Sequence, residues 1–197
     1  MQLFQGLGVI YLALLVTVAG ADWMRQPTTR LSQTAQSRPA ASSNSWFNEI
    51  KPYCNPVEAG VMIPRNPPPQ DRDGWGYAAA CYALAGKIDK ANGVLAGIRN
   101  DSDRHHAASI VFTVGHPVAD AGDDDAAGPI MRLVAEYQPR NYMALYHAGI
   151  SEYNLGDYRY AKEHLERFTE IYTRDDGWLE NGKKVLAQIA EREAAVL

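Results

Sequence analysis

Ala144–Leu165 reads ALYHAGISEYNLGDYRYAKEHL. It joins one helix-like stretch to a second through Gly156-Asp157. A Gly-Asp step lets the chain leave a helix with positive φ and then cap the next one. Small residues at Gly149 and Ala161 let the two predicted helices approach closely. Two earlier stretches carry the same plan. Trp75–Leu95 reads WGYAAACYALAGKIDKANGVL, and Ile110–Met131 reads IVFTVGHPVADAGDDDAAGPIM. Asp73-Gly74-Trp75 also returns as Asp176-Gly177-Trp178.

The phrases recur from starts near Arg72, Ala108, Tyr142 and Asp175, at spacings of 36, 34 and 33 residues. The longest interval calls for an insertion near Asn100–His105. A fixed period of this size marks a repeat architecture, in which no unit buries its apolar face alone. The pattern resembles the tetratricopeptide repeat, a helix–turn–helix unit of about 34 residues. The first unit carries the resemblance at Trp75, Ala79, Tyr82, Gly86, Ala91 and Leu95. The second carries it at Gly115, Gly122-Asp123, Ala127 and Pro139. The third carries it at Gly149, Gly156-Asp157-Tyr158, Ala161 and Leu165. Trp178 and Gly182 fit the opening of a fourth helix. The resemblance implies an all-α fold, a right-handed solenoid of about three units closed by a capping helix. In that cap Val185, Leu186 and Ile189 face inward, and Lys183, Lys184, Glu191 and Arg192 face outward. Unit two departs from the pattern at Pro117 and Gly128-Pro129, where a kink or a late helix start is expected.

In such a solenoid the first helices of successive units line a concave face. The resemblance assigns it Ser109, Phe112, His116 and Ala119 in unit two, and Met143, Tyr146, Ile150 and Tyr153 in unit three. Unit one offers Asp73, Gly76, Ala80 and Ala83, a shallow surface. Phe112, His116, Met143, Tyr146, Ile150 and Tyr153 are therefore the candidate partner-binding residues. They suit an amphipathic helix or a Pro-rich strand. A register shift of one or two residues would instead bury them, so a core role stays open. The Lys/Asn set by which some family members clamp a terminal carboxylate is missing.

Residues 46–70 precede the repeats. Ser45 is expected to cap a short helix over Trp46–Lys51 that Pro52 stops, and Val61–Gln70 reads as extended and Pro-rich. The apolar residues Trp46, Phe47, Ile50, Val61, Met62 and Ile63 are too many for a free linker. The segment is expected to dock on the first unit or to lie in the groove. Cys54 in this segment and Cys81 in the first repeat helix are a candidate disulfide; two unpaired thiols are the alternative.

Leu3–Ala21 has no charged residue and is long enough to cross a bilayer as a helix. Ala19-Gly20-Ala21 has the form of a signal-peptidase site, so cleavage after Ala21 is the second reading. Residues 22–45 are polar, with three arginines and one aspartate, and read as a disordered tether. Arg25, Arg30 and Arg38 favour a cytoplasmic C-terminal part. The cleavage-like site and the cysteine pair favour the periplasmic side of a bacterial inner membrane, which is the expectation adopted. The chain then divides into an anchor or signal (1–21), a tether (22–45), a docking segment (46–70) and the repeat domain (71–197).

The 197 residues carry 19 Lys+Arg against 23 Asp+Glu, a net charge of −4. That balance excludes the basic footprint of a nucleic-acid binder. The composition excludes collagen and a disulfide-dense mini-protein. The sequence has no Gly-rich phosphate loop, no HExxH, no nucleophile elbow and no CxxCH, so no cofactor is expected. The function expected is a non-catalytic scaffold, tethered to a membrane, that binds a peptide or protein segment, with homo-oligomers allowed. Two alternatives stand beside it. One is a structural subunit of a membrane complex with its groove self-occupied. The other is a metal-dependent enzyme using His116 and the Asp120–Asp125 loop, with oxygen and imidazole ligands. His147, Glu152 and His164 read as surface or groove positions.

Overall fold

Side-chain oxygens decide where several helices begin. The computed structural model describes residues 42–196. Among the described residues there are nine α-helices, one short 3-10 turn and no strand. The helices are α1 (Ser43–Ile50), α2 (Ala59–Arg65), α3 (Arg72–Leu84), α4 (Ile88–Ala96), α5 (Asp101–Asp120), α6 (Asp124–Tyr137), α7 (Tyr142–Asn154), α8 (Tyr158–Ile171) and α9 (Gly177–Val196). Asp71, Asn100, Asp123 and Asn141 cap α3, α5, α6 and α7. They accept from the N–H groups of Gly74, Asp103, Ala126 and Ala144 at 2.7, 3.0, 3.2 and 3.1 Å. Each such cap stabilises by about 1 kcal/mol.

Three of the connections close alike. Gly86, Gly122 and Gly156 have φ of 67°, 75° and 85°. The next N–H then reaches back five residues, from Lys87 to Tyr82 at 2.9 Å, Asp123 to Val118 at 3.3 Å and Asp157 to Glu152 at 2.8 Å. This left-handed closure satisfies carbonyls that the helix end leaves open. Three residues separate α3 from α4, α5 from α6 and α7 from α8, so each pair folds back as a helical hairpin. Along the chain α3 packs on α4 and α5, α5 on α6, α6 on α7, α7 on α8, and α8 on α9.

The burial pattern follows from the residues. On α8, Ala161, His164, Leu165 and Phe168 are buried while Glu163, Glu166 and Glu170 are exposed, the stripe expected of an amphipathic helix. α3 is buried nearly all round, through Ala78, Ala79, Ala80, Cys81, Tyr82 and Ala83. Its small side chains allow α1, α2, α4 and α5 to surround it. On α9, Val185 and Ile189 are buried and Leu186 is half-buried, whereas Lys183, Lys184, Glu191 and Arg192 are exposed.

Several expectations change. α5 begins at Asp101, seven residues ahead of Ala108, so Asn100–His105 form its cap and first turns. Pro117 and Pro129 lie inside α5 and α6, which continue through them. The first helix is capped by Ser42 rather than Ser45 and ends at Ile50, followed by a 3-10 turn over Lys51–Tyr53. Ser43–Ser45, read as the end of the tether, are already helical. Val61–Arg65 is helical, not extended: Ala59 and Ile63 are spaced one turn apart and both buried, which outweighs the single hydrogen bond that Pro64 removes. In unit one Gly76, Ala80 and Ala83 are buried rather than open, because a Cβ on Gly76 would stand 2.7 Å from Ile110. The segment read as anchor and residues 22–41 lie outside the described residues. Among the described residues no helix is long and apolar enough to cross a membrane.

The docking segment is fixed on α3. Phe47 stacks on Tyr77 with ring centroids 4.6 Å apart. Trp46 Nε1 donates to the Asn66 carbonyl at 2.9 Å. Ser43 Oγ donates to Asp71 Oδ1 at 2.8 Å. The Gly74 N–H holds the Asp71 carboxyl below the ordinary carboxylate range, against the opposing effect of burial and with further help from Ser43. Cys54 and Cys81 are joined by a disulfide, S–S 2.02 Å, across 27 residues of sequence.

Two stability tests follow. A Cβ on Gly149 would lie 2.6 Å from Leu165 Cγ and 3.2 Å from the Ala161 carbonyl. Gly149→Ala should therefore lower stability by about 1 kcal/mol net of the helix-propensity gain. Gly93→Ala on open α4 surface, with nothing within 4 Å, should raise it by up to about 1 kcal/mol. The second test is Cys54→Ser with Cys81→Ser, which should cost about 3 kcal/mol by loop-closure entropy. Denaturant unfolding of the variants measures all three.

Candidate functional site

The helical spacing of α5 and α7 sets their half-buried faces. Phe112 and His116 stand one turn apart on α5. Met143, Tyr146, Ile150 and Tyr153 follow at three- and four-residue steps on α7, and all six are half-buried. Three of them join a continuous row of rings. Phe112 lies 4.9 Å from His116, and His116 lies 4.8 Å from His147. His147 meets Trp178 edge-on at 5.5 Å and Tyr146 edge-on at 5.6 Å. Tyr146 and Trp178 are 4.6 Å apart, and Asn181 Nδ2 donates to the Tyr146 hydroxyl at 2.8 Å. The row thus runs from α5 across α7 to α9.

Ile150 and Tyr153 have a different setting. With Tyr146 they pack against the buried cluster of Ala161, Leu165, Val185 and Ile189, and Tyr153 lies 5.6 Å from Tyr158. Their rings and methyl groups help seat α9 on α7 and α8. Met143 stands one turn before Tyr146 and His147.

His147 and Trp178 complete the ring row, and Asn181 is hydrogen-bonded to it; of these three, the sequence points to a surface or groove position only for His147. His147 is four residues from Met143 and three from Ile150, so its helical spacing was a usable signal. Trp178 fits the opening of the last helix, a position that does not by itself point to the row.

The row has a polar centre. His116 Nε2 and His147 Nε2 are 3.1 Å apart, a distance at which one ring donates an N–H to the other's lone pair. Asp120 stands beside both, with Oδ2 3.4 Å from His116 Nδ1 and Oδ1 3.8 Å from His147 Nε2. Of the acidic loop only Asp120 comes to the imidazoles this closely. Asp123 caps α6, and Asp124 accepts from Asn154 Nδ2 at 2.7 Å. Burial, and then the neighbouring His116, lower the His147 pKa; Asp120 and Asp124 oppose this in part.

A second polar group is buried where the sequence points to surface or groove positions. Glu152 on α7 and His164 on α8 are 1% and 5% exposed. His164 Nδ1 is 2.7 Å from Glu152 Oε2, and Arg132 Nε donates to Glu152 Oε1 at 2.9 Å. Arg132 reaches in from α6 with its guanidinium 4.7 Å from the Tyr160 ring centre. The correction has a simple cause: a carboxylate that accepts from two partners can be buried, and losing one partner is then costly. His106 Nε2, on α5, lies 2.7 Å from Asp73 Oδ1 on α3.

The sign of the His147 shift fixes a pH dependence. Its folded pKa lies below the ordinary value of about 6.5, so between the two the unfolded chain binds more protons. Stability should fall as pH drops through about 6.5 towards the folded value. Thermal melts between pH 7.5 and 5 should show that fall, and it should be shallower in His147→Gln.

The chain matches no model of a known protein family, and no curated protein is similar to it.

Proposed function

We propose that the chain is a non-catalytic helical-repeat scaffold of the tetratricopeptide type, whose ring-lined face holds a segment of another protein. In this reading the three hairpins α3–α4, α5–α6 and α7–α8 are three units of a right-handed solenoid. α9 is the cap, and α1 and α2 close the other end. The apolar run 3–21 tethers the domain to a membrane, with the domain on the periplasmic side. The identical closure at Gly86, Gly122 and Gly156 supports the repeat assignment.

The row Phe112–His116–His147–Tyr146–Trp178 carries the functional reading. It draws on three helices, and its members are half-buried rather than sealed in the core. Rings offer large apolar area at low conformational-entropy cost, which is why they dominate binding hot spots. The imidazoles and Asp120 add hydrogen-bonding groups at the centre of the row, which would fix the register of what binds.

A photo-cross-linking residue at Met143, tested in cells, should trap a specific partner protein. The same probe at Lys184, on the exposed side of α9, should not. Phe112→Ala with Trp178→Ala should reduce the Met143 adduct at least about tenfold, as expected for loss of hot-spot rings, while circular dichroism stays helical. Equal labelling from both positions, or none, overturns the reading.

A further inference from the structure

We propose that His116, His147 and Asp120 form a binding site for a divalent cation of the zinc or nickel class. Two of the groups, His116 and Asp120, stand one turn apart on α5, and the third comes from α7, which packs beside it. One ligand atom from each side chain can be chosen so that all lie within 4.8 Å of one another. The inference is independent of whether the ring row takes a protein segment.

The spacing of the nitrogens favours an ion between them. Zn–N bonds of about 2.0–2.1 Å place two neighbouring nitrogens roughly 2.9–3.4 Å apart, from octahedral to tetrahedral angles. The two Nε2 atoms are 3.1 Å apart. Small outward rotations of the two rings would admit the ion in place of the shared proton. That proton moves to Nδ1 of the same ring, so the neutral imidazole presents its Nε2 lone pair.

The rings are held for this. His147 sits edge-on to Tyr146 and Trp178, at interplanar angles of 78° and 84°. His116 is flanked by Phe112, and its Nδ1 faces Asp120. Ligating histidines are commonly oriented through their second nitrogen by a carboxylate. Asp120 is half exposed, at 56%, against 21% and 11% for the two histidine side chains. The other oxygen of the carboxylate, Oδ1, 3.8 Å from His147 Nε2, is the one offered to the ion, and solvent reaches the site from its side.

Two imidazole nitrogens and one carboxylate oxygen select the metal. Such a set suits Zn, Ni, Cu(II) and Co(II), and it is poor for Mg and Ca, which prefer oxygen shells. Three protein ligands leave at least one coordination position to water.

The test uses the full chain, purified without a polyhistidine tag and stripped with chelator. Titration with Zn²⁺ should show one equivalent bound, and Co²⁺ should give visible d–d absorption. Mg²⁺ should not compete. His116→Gln, His147→Gln and Asp120→Asn should each weaken Zn²⁺ binding by at least about tenfold, the size of effect known even for outer-shell partners. His106→Gln, which touches Asp73 instead, should bind like the parent. Thermal melts identify any variant that fails to fold. Asp120→Asn changes the most exposed group and decides the case if a histidine variant is lost. Less than one equivalent bound, or affinity unchanged in all the folded site variants, overturns the proposal.

Discussion

Helices in this chain approach so closely that a single methyl group would not fit between some of them. A Cβ on Gly76 would stand 2.7 Å from Ile110, one on Gly115 2.6 Å from Ile130, and one on Gly149 2.6 Å from Leu165. These contacts set the spacing of α3 to α5, of α5 to α6 and of α7 to α8. The site follows from that spacing. His116 lies one residue beyond Gly115, and His147 lies two before Gly149. α6 packs on both α5 and α7, so the close contact of Gly115 with Ile130 on α6 is one of those that bring the two nitrogens to 3.1 Å.

Much of the helical plan was legible in the residues. Gly86, Gly122-Asp123 and Gly156-Asp157 mark turns because a left-handed residue followed by a potential cap is a local requirement that neighbours rarely override. The half-buried positions of Phe112, His116 and Tyr146 follow from helical spacing for the same reason. The start of α5 was less legible. A fixed period invites each unit to be the same length, and Asn100, the actual cap, lies outside the repeated phrase.

The polar interior was legible only in hindsight. Glu152 stands four residues before Gly156 and His164 eight after it. They meet because both lie on the buried faces along which the two helices of the hairpin pack. Charge argues for an outward position, and only the pairing across the hairpin, with Arg132 from α6, reverses that expectation. Likewise Asp120–Asp125 reads as one acidic cluster, yet helix geometry divides it: Asp120 ends α5 beside the imidazoles, while Asp123 is spent on capping α6.

The disulfide has a mechanical consequence. Cys54 precedes α2 and Cys81 lies within α3, so the covalent path from one end of the chain to the other has a shortcut. Tension applied between the two ends passes from Cys54 directly to Cys81. The 26 residues between them, which include α2 and most of α3, carry none of it. Load reaching the domain through α1 would be delivered to the last turn of α3, next to the Gly86 closure, and the N-terminal part of α3 could not be peeled away by stretching the chain.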